Sequence, residues 1–162
     1  MKHTHRNQQK GFASIDASFS VIVLTVILFL ALSVLPGIFF NIHLSGLEKE
    51  VIEVGTAAYQ AKKARPNYSE ITMQKLCDDK YLTEDYCGST PGQSANSFGG
   101  DITYQTNSSN PGLRDIVVTI PSDPDRINQI ADTLASQSRE KCTVADGCDT
   151  LAVNGNTITI TM

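Results

Sequence analysis

The sequence predicts an α+β protein, in which one long N-terminal α-helix is followed by a small domain built on an antiparallel β-sheet. Three observations predict it. No Asp, Glu, Lys or Arg occurs from Ala17 to Leu47, so the first third of the chain holds an apolar run long enough for one continuous helix. Overlapping its end, Leu44, Leu47, Val51, Val54, Ala58 and Ala61 recur three and four residues apart, the spacing of a single buried helical stripe. The remainder carries short β-branched segments divided by Gly, Pro and Asn clusters, together with all four cysteines, which is the pattern of a small sheet domain with tight turns. A net charge of -4 and a pI near 5.3 exclude a protein that coats nucleic acid, because affinity for phosphates needs clustered Lys and Arg.

The apolar run is densest from Val21 to Leu32 and continues through Ser33 to Phe40. Residues 17–42 form about 39 Å of helix at about 1.5 Å per residue, against a hydrocarbon core of about 30 Å, so the segment spans a bilayer once. Lys2, Arg6 and Lys10 precede it, whereas Glu48, Glu50 and Glu53 follow with only Lys49 among them. This bias leaves the N-terminus in the cytoplasm and everything after residue 45 outside. A secretory signal peptide would use Val21 to Leu32 as its apolar core and Ala31-Leu32-Ser33 as its cleavage site, but Asp16 then stands in what should be a basic region. A plain one-pass anchor gives Lys10-Gly11-Phe12 no role, and burying Asp16 deep in the apolar layer would cost up to about 3 kcal/mol.

A third organisation follows from a resemblance. Gly11-Phe12-Ala13-Ser14-Ile15-Asp16, behind a basic leader and ahead of a long apolar helix, resembles the class III prepilin signal of type IV pilins. The resemblance implies that a membrane-embedded aspartyl peptidase cuts between Gly11 and Phe12 on the cytoplasmic side, removing residues 1–11. It further implies N-methylation of Phe12 and retention of the apolar helix. The family's acidic residue falls on Asp16, with aspartate in place of the usual glutamate. Cleavage would create a cationic amine at Phe12, one helical turn from the opposite charge of Asp16. In staggered neighbours, the amine of one subunit and Asp16 of the next would neutralise each other in a low-dielectric core and set the axial register. The competing structural account places Asp16 at the headgroup level or at the helix start as a cap.

Pro36-Gly37 predicts a break or kink, since proline removes a backbone hydrogen bond and glycine adds flexibility. The helix as a whole is expected over residues 12–64, ending at Ala64-Arg65-Pro66-Asn67. Residues 65–162 form the globular domain. Ile71 to Leu76 reads as a short helix, and Asp101 to Tyr104, Asp115 to Ile120 and Thr157 to Thr161 read as strands. Asn107 to Gly112, Gly99-Gly100 and Asn154-Gly155-Asn156 supply the turns. Ser122-Asp123-Pro124-Asp125 opens a helix whose apolar face is Ile127, Ile130, Ala131 and Leu134. The order of elements and Asn96-Ser97-Phe98-Gly99-Gly100 resemble the type IVb branch of the same family, where such an element leads from a loop into an antiparallel sheet.

The cysteines lie in the exported part, where disulfides persist. Of three connectivities, the local pairs Cys77 with Cys87 and Cys142 with Cys148 are favoured, each closing a short loop worth about 2 to 3 kcal/mol; the resemblance also allows a long-range bridge such as Cys77 to Cys148. Neither spacing is that of a zinc knuckle. The histidines His3, His5 and His43 assemble no catalytic or ligand set, and no cofactor or enzyme activity is implied. Asp123-x-Asp125 and Asp146-Gly-Cys-Asp149 could hold calcium, but capping and a turn account for them more economically. Asn67-Tyr68-Ser69 and Asn107-Ser108-Ser109 are sequons for which a bacterial pilin gives no expected use.

Together these readings lead to the expectation of a type IV pilus subunit. It is held in the inner membrane before assembly, then polymerised into an extracellular homo-oligomeric filament for adhesion, aggregation or DNA transfer. The implied partners are a prepilin peptidase, the inner-membrane assembly platform and minor pilins. The alternatives are a pseudopilin or minor pilin of a secretion or competence system, or a singly anchored periplasmic binding domain.

Overall fold

The computed structural model describes residues 12–162, with side chains from Ser18 onward. The leader with Gly11, and the side chains of Phe12 and Asp16, lie outside the described residues. The chain divides between Asn41 and Ile42 into two compact units. Helix α1 runs Phe12–Lys62. Helix α1 continues through Pro36 and Gly37, so the chain is not unwound there. Proline deletes one N–H from the ladder, yet its fixed φ is itself helical, and a long helix tolerates one missing bond in an apolar setting.

Every described side chain from Ser18 to Phe39 is exposed, including Phe29 at 73% and Leu24 at 65%. Polar hydroxyls within the run turn back onto the helix. Thr25 Oγ1 donates to the Val21 carbonyl and Ser33 Oγ to the Leu30 carbonyl, both at 2.8 Å, which removes their need for water.

The second unit begins with the outer part of α1, so the compact domain starts at Ile42 rather than at residue 65. Of the predicted stripe, Leu47, Val51, Val54 and Ala58 are fully buried, Ala61 is buried and Leu44 is half-buried, and Ala57, outside the stripe, is buried as well. Lys63 adopts φ 51° and ends the helix; a left-handed residue is the usual stop for a helix. Helix α2, Met73–Asp78, is capped by Thr72, whose Oγ1 accepts from the Lys75 amide at 3.1 Å.

Strands β1 (Ile102–Thr106), β2 (Arg114–Thr119), β3 (Leu151–Asn154) and β4 (Thr157–Thr161) form one antiparallel sheet in the order β1-β2-β4-β3. Helix α3, Ile127–Ala135, lies in the crossover between the two hairpins and packs on β3 and β4. Alternation divides the sheet into two faces. Ile102, Tyr104, Ile116, Val118, Ile158 and Ile160 are buried on one, and Thr103, Val117, Thr119, Thr157, Thr159 and Thr161 lie on the other. Strand β3 has no counterpart among the sequence expectations. Its four residues carry a single buried side chain, Leu151, and so give little periodic signal ahead of the Gly155-Asn156 turn.

The helix predicted after Ser122 starts later than expected. A 3₁₀ turn spans Pro124–Arg126, and Asp123 makes no cap bond; instead it pairs with Arg126, while Ser122 Oγ donates to the Phe98 carbonyl at 2.7 Å. The disulfides are the two local pairs, Cys77–Cys87 and Cys142–Cys148.

The entry to the sheet is organised by one buried side chain. Asn96 is 5% exposed. Its Nδ2 donates to the carbonyls of Asp101 and Thr119, both at 2.9 Å, and its Oδ1 accepts from the amides of Phe98 and Gly100 at 2.9 and 3.0 Å. Both hydrogens and both lone pairs are thus used. Gly100 is required beside it, since a Cβ there would strike the Thr119 carbonyl oxygen and the Pro121 ring. Asn96→Ala should lower unfolding stability by about 3 kcal/mol or more, because several buried main-chain groups lose their partners. Asn96→Asp, which keeps the acceptors and loses the donors, should fall between the variant and the native chain. Chemical denaturation of the detergent-extracted protein checks both, and an unchanged midpoint for Asn96→Ala would contradict the account.

Candidate functional site

Among the described residues, α1 is the one helix long and apolar enough to cross a membrane, with a best-window mean hydropathy of 2.8 and none of that window buried. An apolar helix surface without protein over it is stable only in lipid or against other apolar helices. Phe12 and Asp16 both lie in α1, and positions four apart stand on one side of a helix backbone.

On the polar face of the outer helix, off the buried stripe, Glu48, Glu50 and Glu53 each tie α1 to another segment. Glu50 accepts from the Ser97 amide at 2.9 Å and also from the Ser97 hydroxyl. Glu48 accepts from Gln137 Nε2 at 2.9 Å, and Glu53 from the Tyr86 hydroxyl at 3.2 Å. His43 Nδ1 meets the Ser97 carbonyl, and its ring stands 5.6 Å from that of Phe98. The Asn96 to Gly100 element is therefore held both by the sheet and by α1. Sequence spacing could not reveal these contacts, since their partners lie 33 to 89 residues away.

Ser97, His43 and Glu50 are hydrolase residue types, but the imidazole meets the serine carbonyl while the serine hydroxyl serves the glutamate. A nucleophilic relay needs the imidazole on the hydroxyl. Glu140, Cys142 and Cys148 converge with ligand atoms within 4.8 Å. The two sulfurs are bonded to each other, so no thiolate is offered to a metal. No protein-family model, no curated protein and no solved structure matches this chain.

Two surface depressions complete the picture. A cleft of about 500 Å³ lies between α3 and β3, lined by Asp132, Asp146, Asp149, Leu151 and Val153 among others. A shallower recess of about 320 Å³ lies against α1 and is lined by Ile52, Thr56, Arg114, Arg139, Lys141 and Met162 among others.

Burial holds the Tyr86 hydroxyl well above the usual tyrosine range, and the nearby Glu53 carboxylate adds to the effect. The folded state keeps this proton after the unfolded chain, whose tyrosines titrate near about 10, has released it. Stability should hold up to about pH 10 and fall above it. Tyr86→Phe should lessen the alkaline fall and leave the part due to Tyr104, which burial also raises. Thermal unfolding followed from pH 8 to 11 reads the difference, and an identical slope in both proteins would refute the assignment.

Proposed function

We propose that this chain is a type IV pilin-like structural subunit, processed after Gly11, anchored by residues 17–42 and polymerised through its helix into a surface filament. The observation that carries the reading is Asp16. It is the only Asp, Glu, Lys or Arg between Lys10 and Glu48, it stands four residues from the proposed new N-terminus, and an apolar helix retains such a charge only where something answers it. Support comes also from the wholly exposed apolar run, the stapled α+β domain that follows it, and two disulfides suited to an exported location. The topology in this reading places the N-terminus in the cytoplasm and the domain outside the inner membrane, with a prepilin peptidase, an assembly platform and minor pilins as partners.

The mature protein should begin at Phe12 with a methylated amine. Intact mass and N-terminal sequencing of membrane-extracted protein decide it: a start at Val34 would point to a cleaved secretory signal, and an uncut leader to a plain anchor. Replacing Gly11 with a bulky residue should leave the precursor uncut and abolish filaments.

Asp16→Ala should be processed and should form both disulfides, yet fail to enter filaments, because an unanswered amine in an apolar core is destabilising by several kcal/mol. Asp16→Glu should largely restore assembly. A helix cap would instead account for only about 1 kcal/mol and leave assembly nearly intact. Filament yield from cells producing stable, cut Asp16→Ala distinguishes the two, and wild-type yield would sink the pairing mechanism.

A further inference from the structure

Residues 42–162 carry ten Lys and Arg against sixteen Asp and Glu, so copies of this domain repel one another unless their few cations are placed against carboxylates. Three of those cations, Arg114, Arg139 and Lys141, line the recess beside α1, and no carboxylate side chain lines it with them. Arg114 is fixed from within. Its Nη1 donates to the Tyr68 hydroxyl at 2.8 Å, its guanidinium lies 5.9 and 5.6 Å from the Tyr59 and Tyr68 ring centroids, and its buried Nε has no acceptor. Arg139 and Lys141 are exposed, and their side chains make no ion pair or hydrogen bond among the described residues.

The same domain presents the opposite charge on an exposed loop. Thr143, Val144, Asp146, Gly147 and Asp149 are all exposed, with Val144 at 50%. The loop is closed by Cys142–Cys148 and anchored where the Ala145 amide donates to Asp132 Oδ1 at 2.7 Å, so little freedom is lost when it docks. Asp146 and Asp149 have no hydrogen-bond or ion-pair partner among the described residues. The loop lines the cleft with α3 and β3 and adjoins the recess through Ser138, whose Oγ stands 3.5 Å from Cys148 Sγ, yet neither Asp146 nor Asp149 pairs with a cation of its own recess among the described residues.

We infer that the recess of Arg114, Arg139 and Lys141 receives the Asp146 to Asp149 loop of a second copy, a head-to-tail contact that rests on the filament reading above. A contact between two different patches of one chain is heterologous and propagates into an open helical array when it does not close. Val144 and Ile52, both exposed, supply apolar area beside the charge pairs. The charges set register and reject misaligned neighbours, and single rim pairs of this kind contribute little on their own but recur at every subunit.

The test is a charge swap in the full-length chain, assembled in cells and read as filament yield, with leader cleavage and both disulfides confirmed for each variant. Arg139→Glu with Lys141→Glu should lower yield by about tenfold or more, and Asp146→Lys with Asp149→Lys should do the same, because each places like charges together. The four substitutions combined in one chain should restore assembly to near the wild-type level. Co-production of the two defective variants should also restore filaments, since each then offers the complementary surface to the other. Wild-type yield from either reversed pair overturns the interface while leaving the filament reading intact, as does a combined variant that does not recover. Binding of inorganic phosphate in the recess, lost on reversal while assembly is unaffected, would assign the recess to a free anion and overturn it too. Absence of filaments from the wild-type chain overturns the filament reading and this contact with it.

Discussion

The constraint on which the rest of the structure depends is the unanswered apolar surface of α1. Side chains from Ser18 to Phe39 are exposed around the whole helix, whereas a soluble helix buries at least one face. Water is a poor solvent for such a cylinder, at about 25 cal/mol for each Å² of apolar surface left in it. Such a surface is compatible with a membrane, which the helix is long and apolar enough to cross. The hydroxyls of Thr25 and Ser33, turned onto their own helix, leave that environment few polar groups to satisfy.

From Ile42 onward the same helix obeys a different rule. Leu47, Val51, Val54 and Ala58 vanish from solvent, and the polar residues between them reach outward to other segments. Glu48, Glu50 and Glu53 each hold a part of the chain distant in sequence: α3's end, the Asn96 to Gly100 element and the 3₁₀ turn of Glu84–Tyr86. Small residues let the packing close. A Cβ on Gly55 would come within 2.8 Å of Met162 Sδ, and one on Gly46 would collide with Ser97 Oγ. The outer helix is thus a structural member of the domain and not a spacer ahead of it.

Two properties of the domain suit the proposed life outside the membrane. The disulfides brace the α2 region ahead of the sheet and the loop between α3 and β3, and an oxidising compartment keeps such bonds closed. The opposite sheet face carries Thr103, Val117, Thr119, Thr157, Thr159 and Thr161, all half-buried, together with Gln105, Asp115, Ala152 and Asn154, and neighbouring side chains cover one another across the strands. In the filament reading, assembly then joins two kinds of interaction. Apolar helices supply most of the free energy, and charge pairs select the register in which those helices meet.

Much of this architecture was legible in the residues. The absence of charge from Ala17 to Leu47, the three-and-four spacing from Leu44 to Ala61 and the alternation of Thr157 to Thr161 each encode a near-neighbour preference, and each reappears in the structure; the sequence left three cysteine pairings open, and the structure forms the two favoured local ones. Only the tertiary structure decided three other matters. Pro36 and Gly37 stay helical because one lost bond does not end a long helix. Leu151 to Asn154 becomes a strand because β4 offers it an edge, although its own pattern is weak. Asn96 and the three glutamates become buried or bonded fasteners because their partners arrive from far along the chain. Periodicity reports what a segment wants from a solvent boundary, whereas a polar side chain's partner is fixed only when distant segments meet.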